Sequence, residues 1–273
     1  MLKEIIIYIS QFNNTNEYDV FKEQADASEL YVRNSFSDVS DPLSSYLITD
    51  SRETADLAVS LGIGFAVYLN DKSRECDFAD ALYMIDDLSL IGISRIVRMY
   101  QRFQGIPWHI LDTERCSLTE MCVDDLDDIY GVYDDPLVSK YAGEPYYDRK
   151  KAIEYIKDYI DIQYKFYEYG IWLVRDKATG EVIGRAGICG RAGYDDPEIG
   201  YVFAKRVWGK KYATEIIGAI IEYAAEELYI ETLNAFVMPE NVVSVHILEK
   251  FGFKKIKNVM LHDEEHIYMQ LEL

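Results

Sequence analysis

Residues 198–228 read EIGYVFAKRVWGKKYATEIIGAIIEYAAEEL. The run at 198–205 predicts a strand, the turn after it contains Gly209, and residues 212–228 predict a helix. A turn that opens a helix presents unpaired backbone N–H groups beside the positive end of the helix dipole. The segment therefore predicts a site for an anion such as a pyrophosphate, although an ordinary strand-to-helix turn fits the same pattern.

A second segment, NVVSVHILEKFGF at 241–253, follows a further predicted strand at 231–237. Asn241 and Ser244 stand at the start of a predicted helix, where such side chains commonly cap free amides. Gly252 stands at its end, where a left-handed residue is often needed. Helix capping accounts for the presence of each of these three residues taken individually. It does not explain why this segment follows the first in this order and at this separation.

The two segments together resemble the GNAT superfamily of acyl-CoA N-acyltransferases, in particular its ribosomal-protein-acetyltransferase-like branch. The resemblance rests on E-I-G-Y at 198–201, W-G-x-x-Y-A-T-E at 208–215 and N-x-x-S-x-x-x-L-E-K-x-G-F at 241–253, and it extends over about residues 111–273. It implies a mixed α+β acyltransferase domain. It also implies direct transfer of an acetyl group from acetyl-CoA to an amine within a ternary complex, without a metal ion.

The resemblance implies which residues bind the cofactor. Tyr201, Val202 and Phe203 would offer backbone groups to the pantetheine arm at a splayed strand, with Phe203 nearest the thioester carbonyl. Backbone amides of the turn and of the following helix would hold the pyrophosphate, and Asn241 would bond the pantetheine region. The full implied set is Tyr201, Val202, Phe203, Trp208, Gly209, Lys210, Lys211, Tyr212, Ala213, Thr214, Asn241 and Ser244.

Acyl transfer to an amine requires a neutral amine, a stabilised oxyanion and a proton for the departing thiolate. Glu198 opens the strand beside the implied thioester, where many family members carry an acidic residue, and it is the candidate general base. A solvated carboxylate at a strand end and deprotonation by bulk water are the alternatives. Ser244, near the implied sulfur, or water is the candidate acid, because Leu248 stands where many family members have a tyrosine.

One position departs from the family pattern R/Q-x-x-G-x-G/A. The chain reads WGKKYA at 208–213, so Lys211 stands where the pattern has its first glycine. The lysine side chain either crowds the pyrophosphate or pairs with it, while the backbone amide is retained. A non-catalytic acyl-CoA sensor or scaffold is therefore the alternative to an enzyme.

The amine acceptor stays open at this stage. A net charge of −20, with acidic residues in excess in both halves, disfavours nucleic acid as a partner and attracts cationic amines. Peptide N-termini, small polyamines and amino sugars all remain candidates. A predicted helix at 148–168 is rich in aromatic residues, and the resemblance places this region beside the acceptor channel, although core packing explains most of them. The aromatic residues are Tyr155, Tyr159, Tyr164, Phe166, Tyr167 and Tyr169.

Residues 1–110 predict a separate small α/β domain of Rossmann-like type, and Gly105-Ile106-Pro107 interrupts the helical pattern just before the boundary. In this part, strands are predicted at 4–9, 45–49, 64–69 and 81–85, and helices at 52–61 and 88–103. Beyond it, strands are predicted at 114–122, 171–176, 181–189, 198–205, 231–237, 253–258 and 265–272, and helices at 124–132, 148–168, 212–228 and 242–250.

The stretch from Tyr46 to Leu69 resembles a segment of haloacid-dehalogenase-type hydrolases. Asp50, Asp86 and Asp87 would then stand where such enzymes have magnesium ligands. The first strand lacks the Asp-x-Asp that these enzymes use as nucleophile and acid. We therefore expect a non-catalytic scaffold or docking domain, with a magnesium-dependent phosphatase as the alternative.

The cysteines Cys76, Cys116, Cys122 and Cys189 form no C-x-x-C pair, which is typical of reduced thiols in the cytosol. The apolar run at the N-terminus is too short for a signal-peptide core. No stretch approaches the roughly 20 apolar residues of a membrane span. The sequence therefore predicts a cytoplasmic protein without a membrane partner.

Overall fold

The computed structural model describes residues 1–36, 39, 41–143 and 148–273. The chain divides into two compact units, Met1–Trp108 and His109–Leu273. Each unit combines a β-sheet with helices, so the predicted mixed α/β class is confirmed. Within the described residues, no helix has both the length and the apolar character that crossing a membrane requires.

The first unit contains a sheet of five parallel strands in the order β2-β1-β3-β4-β5. Its elements are β1 Glu4–Tyr8, α1 Glu17–Ala27, β2 Tyr31–Arg33, β3 Ser45–Thr49, α2 Arg52–Ser60, β4 Gly64–Tyr68, β5 Met84–Ile85 and α3 Ile93–Phe103. Strands β3 and β4 are buried along their whole length, as expected for central strands of a parallel sheet covered on both faces.

Asp50 follows β3 at the carboxyl edge of this sheet, and its side chain is almost completely buried. Its carboxylate accepts hydrogen bonds from Ser10 N and Asn70 Nδ2, each at 2.8 Å, and pairs with Lys72 Nζ at 3.3 Å. Within the described residues, no group of three or more His, Cys, Asp or Glu side chains is arranged to hold a metal ion. Asp50 is therefore a satisfied buried carboxylate, and the haloacid-dehalogenase resemblance stays a prediction.

The second unit contains a sheet of eight strands in the order β12-β13-β11-β10-β9-β8-β7-β6. Its elements are β6 His109–Asp112, β7 Cys116–Thr119, α4 Leu126–Val132, α5 Pro136–Ala142, α6 Arg149–Tyr159, a π-helix Ile160–Tyr167, β8 Ile171–Asp176, β9 Val182–Cys189, β10 Glu198–Phe203, α7 Tyr212–Glu226, β11 Thr232–Val237, α8 Val242–Lys250, β12 Lys254–Leu261 and β13 Glu264–Glu272. Neighbouring strands are antiparallel except for β10 and β11, which are parallel.

The parallel pair opens in the middle of this sheet. Strand β10 pairs with β9 along its whole length, from Glu198 to Phe203. It pairs with β11 only through Glu198, opposite Asn234. Beyond Glu198 the two strands separate, and the edge of β10 that faces β11 is left open.

The two faces of the sheet are covered by different helices. On one face, Trp172 of β8 packs edge-on against Tyr223 of α7, with ring centres 5.6 Å apart. On the other face, Arg185 of β9 stands directly opposite Val202 of β10, and α4 and α6 pack over it. Glu198 lies four residues before Val202 on the same strand, so it shares the face that carries Arg185.

Candidate active site

A cavity of about 550 Å³ opens where β10 and β11 separate. Its walls come from β10, from the loop that leads into α7 and from the first turn of α8, and α5 contributes Val138 and Tyr141. Every residue predicted to bind the cofactor lines this cavity except Lys210. The predicted residues in its wall are Tyr201, Val202, Phe203, Trp208, Gly209, Lys211, Tyr212, Ala213, Thr214, Asn241 and Ser244.

The hydrogen bonds of β10 determine which of its backbone groups face the cavity. Ala204 N donates to Ile183 O at 2.9 Å, which continues the ladder between β10 and β9. In an antiparallel ladder, successive residues turn their N–H and C=O groups to opposite edges. Val202 therefore directs its backbone groups to β9, while Tyr201 and Phe203 direct theirs to the open edge.

One of these edge groups is already bonded within the chain. Trp208 Nε1 donates to Phe203 O at 2.8 Å, which also fixes the indole at the mouth of the cavity. Within the described residues, strand pairing leaves the N–H of Phe203 and both backbone groups of Tyr201 at the open edge, where a ligand can reach them. An extended chain that carries amides can bond them in the way an added strand does.

The loop before α7 turns twice through the left-handed region. Gly209 has φ +73° and Lys211 has φ +66°, and α7 begins at Tyr212. No side chain in the described part of the chain caps this helix. As in any helix, the first amides of α7 have no partner within the helix, and together with the helix dipole they suit an anion at one end of the cavity.

This geometry explains the glycine pattern that Lys211 breaks. A left-handed conformation costs a residue with a Cβ roughly 1–2 kcal/mol, and glycine avoids that cost. Lys211 nevertheless adopts it, and its side chain is exposed beside the cavity. The loop thus keeps the backbone conformation that a glycine at this position would have.

A cluster of side chains holds this loop against β7 and β8. Arg115 Nε donates to Glu215 Oε2 at 2.6 Å, Arg115 N donates to Glu215 Oε1 at 2.9 Å, and Arg115 Nη1 donates to Lys210 O at 3.1 Å. The guanidinium of Arg115 also lies over the Tyr212 ring. Tyr212 Oη donates to Asp176 Oδ2 at 2.6 Å. Arg115 is absent from the predicted site, although its partners Tyr212 and Glu215 belong to the motif at 208–215.

Residues 115–254 match the family model described as an acetyltransferase (GNAT) domain, which covers the cavity and the loop. This chain belongs to the GNAT acetyltransferase family. The sequence is 31% identical over 155 residues to the uncharacterized protein YkkB of Bacillus subtilis (strain 168), across 55% of this chain and 87% of that protein. It is 32% identical over 152 residues to the uncharacterized N-acetyltransferase p20 of Bacillus licheniformis, across 53% of this chain and 82% of that protein.

Solved structures agree with this assignment of the acetyltransferase fold. An acetyltransferase from Agrobacterium tumefaciens str. C58 has a TM-score of 0.52 and 25% identity, across 60% of this chain and 94% of that one. A putative ribosomal-protein-serine acetyltransferase from Vibrio cholerae has a TM-score of 0.53 and 18% identity, across 61% of this chain and 98% of that one. At that identity the Vibrio structure is evidence for the fold alone.

Glu198, the candidate base of the acetyltransferase, is held in an ion pair. Both of its carboxylate oxygens accept hydrogen bonds from Arg191, one from Nε and one from Nη2 at 2.8 Å. Cys189 Sγ lies 3.5 Å from Oε1, and burial together with this carboxylate raises the pKa of Cys189 to about 12, so the thiol stays protonated. Glu198 is 9% exposed and does not line the cavity wall. Its role as a base stays a prediction.

Ser244 and Asn241 of the acetyltransferase start α8 as the sequence predicts. Asn241 Oδ1 accepts a hydrogen bond from Ser244 N at 3.3 Å, and Gly252, with φ +93°, follows the end of the helix. Tyr201 Oη donates to Ser244 O at 3.4 Å, which joins β10 to α8 beside the opening. Leu248 is buried, so this position contributes apolar packing and no proton donor.

Proposed function

We propose that the protein is an N-acetyltransferase that transfers acetyl from acetyl-CoA to an amine within a ternary complex. One observation carries the proposal: the cavity combines an open strand edge, at Tyr201 and Phe203, with an uncapped helix N-terminus at Tyr212. Pantetheine carries amide groups along an extended arm, and CoA carries a pyrophosphate beyond it. The cavity offers complementary groups to both.

Each part of the cavity then receives a binding role. The backbone groups of Tyr201 bond the pantetheine arm, and the amides of Gly209 and of Lys211 to Thr214 hold the pyrophosphate. The thioester supplies the acetyl group. The N–H of Phe203 is the donor we assign to the thioester oxygen, because a donor fixed in place before the reaction stabilises the developing oxyanion without reorganisation.

We assign the proton transfers to Glu198 and Ser244. Glu198 accepts the proton of the attacking amine, directly or through water, and Arg191 fixes the direction of its carboxylate. Oε2 has a second lone pair that the guanidinium does not use, while Oε1 also accepts from the Cys189 thiol. Ser244 donates to the departing thiolate, and bulk water is the alternative partner for both steps.

We assign the first unit a non-catalytic role. The ion pairing and hydrogen bonding of Asp50 favour a scaffold or docking domain over a magnesium-dependent phosphatase. A non-catalytic acyl-CoA sensor is the second candidate function, and Lys211 at the glycine position is the observation that favours it.

Calorimetric titration with acetyl-CoA, followed by an assay of thiol release with a panel of amines, tests the proposal. We expect saturable binding and thiol release that depends on the amine. Binding without release would favour the sensor, and the absence of binding would contradict both candidates.

A further inference from the structure

A second, smaller cavity of about 190 Å³ lies in the acetyltransferase unit between α4, α6 and β9. This space is large enough for a small chemical group or several waters. Its wall is apolar and aromatic, with Tyr130, Tyr133 and Tyr155 among its residues. Arg185 is the only charged side chain in the wall that the described residues form.

The described residues leave the guanidinium of Arg185 with few hydrogen-bond partners. Its Nε is buried and has no hydrogen-bond partner within the described part of the chain. Nη2 donates to Met121 Sδ at 3.6 Å, and a thioether is a weak acceptor. Among the described residues, no carboxylate forms an ion pair with it. A guanidinium has five N–H donors and stays charged, so leaving it unpaired where it is half-buried costs free energy unless an anion binds there.

Arg185 lies close to the cavity at β10. Arg185 stands opposite Val202, which lines the larger cavity, and directly paired residues of neighbouring strands lie about 5 Å apart. Ala142 borders both cavities. Arg185 also shares its sheet face with Glu198. An acceptor bound on this face therefore lies on the same side of the sheet as both Arg185 and Glu198.

The single positive charge selects the chemical class of the bound group. A planar carboxylate matches the donor fork of one guanidinium and carries one charge. A phosphate dianion calls for more cations than this wall provides. A polyamine brings further positive charge to an arginine for which the described residues supply no counter-ion, although the net charge of −20 attracts polyamines to the protein surface.

We infer that Arg185 binds the carboxylate of the acceptor, so that the preferred substrates are amines that also carry a carboxylate group. This inference rests on the proposed acetyltransferase function. Two sources of such acceptors share the chemistry: free amino acids, and peptides whose N-terminal amine lies near an acidic side chain.

Matched acceptors test the inference. The first set comprises glycine, β-alanine and 4-aminobutanoate, the carboxamide of each, and diamines with the same numbers of methylenes. The second comprises Ser-Asp and Ser-Asn dipeptides with amidated C-termini. We expect kcat/KM for the carboxylates to exceed that for the carboxamides by about 10- to 100-fold, with the diamines lowest. The set with the larger ratio of kcat/KM between carboxylate and carboxamide shows whether the carboxylate belongs to a free amino acid or to a peptide side chain.

Substitutions of Arg185 provide a second test of the inference. We expect Arg185→Met to lower kcat/KM of the carboxylates to the level of the carboxamides, and Arg185→Glu to favour diamines. Calorimetric affinity for acetyl-CoA should not change in either. Arg149→Met is the matched control, because Arg149 is an exposed arginine of α6 that lines neither cavity. Equal use of carboxylates and carboxamides by the wild type, or an equal loss for both in Arg185→Met, overturns the inference.

Melting curves separate this inference from the proposed function. If the wild type binds acetyl-CoA and acetylates no amine, the proposed function fails. The same carboxylates should still raise the melting temperature of the wild type, and they should leave Arg185→Met unchanged. Without a ligand, Arg185→Met should melt no lower than the wild type, because it removes a half-buried charge that has no ion-pair partner among the described residues. A carboxylate-induced shift that is equal in both proteins, or absent from both, contradicts the inference.

Discussion

The guanidinium of Arg115 lies 4.0 Å from the centre of the Tyr212 ring, at the start of α7. The same side chain bonds Glu215 and the carbonyl of Lys210. The loop that presents its amides to the larger cavity is therefore fixed by a residue about a hundred positions earlier in the chain. Rigid placement of these amides lowers the entropic cost of binding an anion.

Glu215→Gln tests this support. We expect a loss of about 1–3 kcal/mol in the free energy of unfolding, because Glu215 accepts hydrogen bonds from both the side chain and the backbone of Arg115. The dissociation constant for acetyl-CoA should rise as the loop loosens. Urea unfolding and calorimetry measure the two effects. Glu222→Gln, an exposed change on the same helix, is the control, and equal effects in both variants would contradict the role of the cluster.

The same contacts make stability depend on pH. Burial by itself favours the neutral carboxyl, but hydrogen bonds from Thr113 and Arg115 outweigh it and hold the pKa of Glu215 below its usual 4.5. Because the folded pKa is the lower one, the carboxylate stabilises the fold above the unfolded pKa, and this contribution is lost as pH falls through the folded value. We expect the gap in unfolding free energy between wild type and Glu215→Gln to narrow from about pH 5 to about pH 3. A constant gap would show that the ionised form contributes nothing.

Lys211→Gly addresses the residue that departs from the family pattern. We expect acetyl-CoA to bind modestly more weakly, because the lysine adds a positive charge opposite the pyrophosphate. The wild type should also lose more affinity than the variant between low and high salt, since that charge is screened. Unfolding free energy should stay level or rise by about 0.5 kcal/mol, because glycine adopts φ +66° without a Cβ cost but loses more chain entropy.

Titration of both proteins at two ionic strengths measures these differences. Lys210→Gly is the matched control, because Lys210 neighbours Lys211, does not line the cavity and has no left-handed φ. Tighter binding by Lys211→Gly at both salt concentrations would mean that the lysine obstructs the pyrophosphate. That result would favour the sensor over the enzyme.

Glu198→Gln tests the candidate base. We expect turnover to fall by about 10²–10⁴-fold, with the affinity for acetyl-CoA nearly unchanged, because the carboxylate acts on the amine and not on the cofactor. Steady-state rates and calorimetry separate the two quantities. If the variant keeps wild-type rates from pH 6 to pH 9, bulk water is the base and Glu198 only orders Arg191.

The sequence predicts the helices and strands of the second unit well where apolar residues recur at the spacing of a helix or of a strand. Strand β8 at 171–176 and helix α8 at 242–250 have their predicted bounds. In the first unit the prediction lacks α1 at Glu17–Ala27, whose residues are mostly polar, and it extends β5 beyond Met84–Ile85. Whether a short or polar segment forms a helix or strand depends on tertiary packing. The local pattern of apolar residues contains no information about that packing.

The candidate site also has features that local motifs predict and features that they do not. The cavity wall follows from two motifs, because strand, turn and helix geometry are local properties of each motif. Arg115 and Arg185 are missing from the prediction, since an arginine in a sequence looks the same whether it is exposed or faces a cavity. Their positions depend on long-range pairing, as between Arg115 and Glu215 or between Arg185 and Val202.

The most direct measurement of the central claim is mass spectrometry of the amine after incubation of the full chain with acetyl-CoA, with release of CoA thiol followed in parallel. The account predicts an acetylated amine that forms in step with the thiol, and neither product when the protein or the amine is omitted. Acetyl-CoA that binds but yields no acetylated product with any amine, including the amino acids, peptides and diamines above, would contradict it.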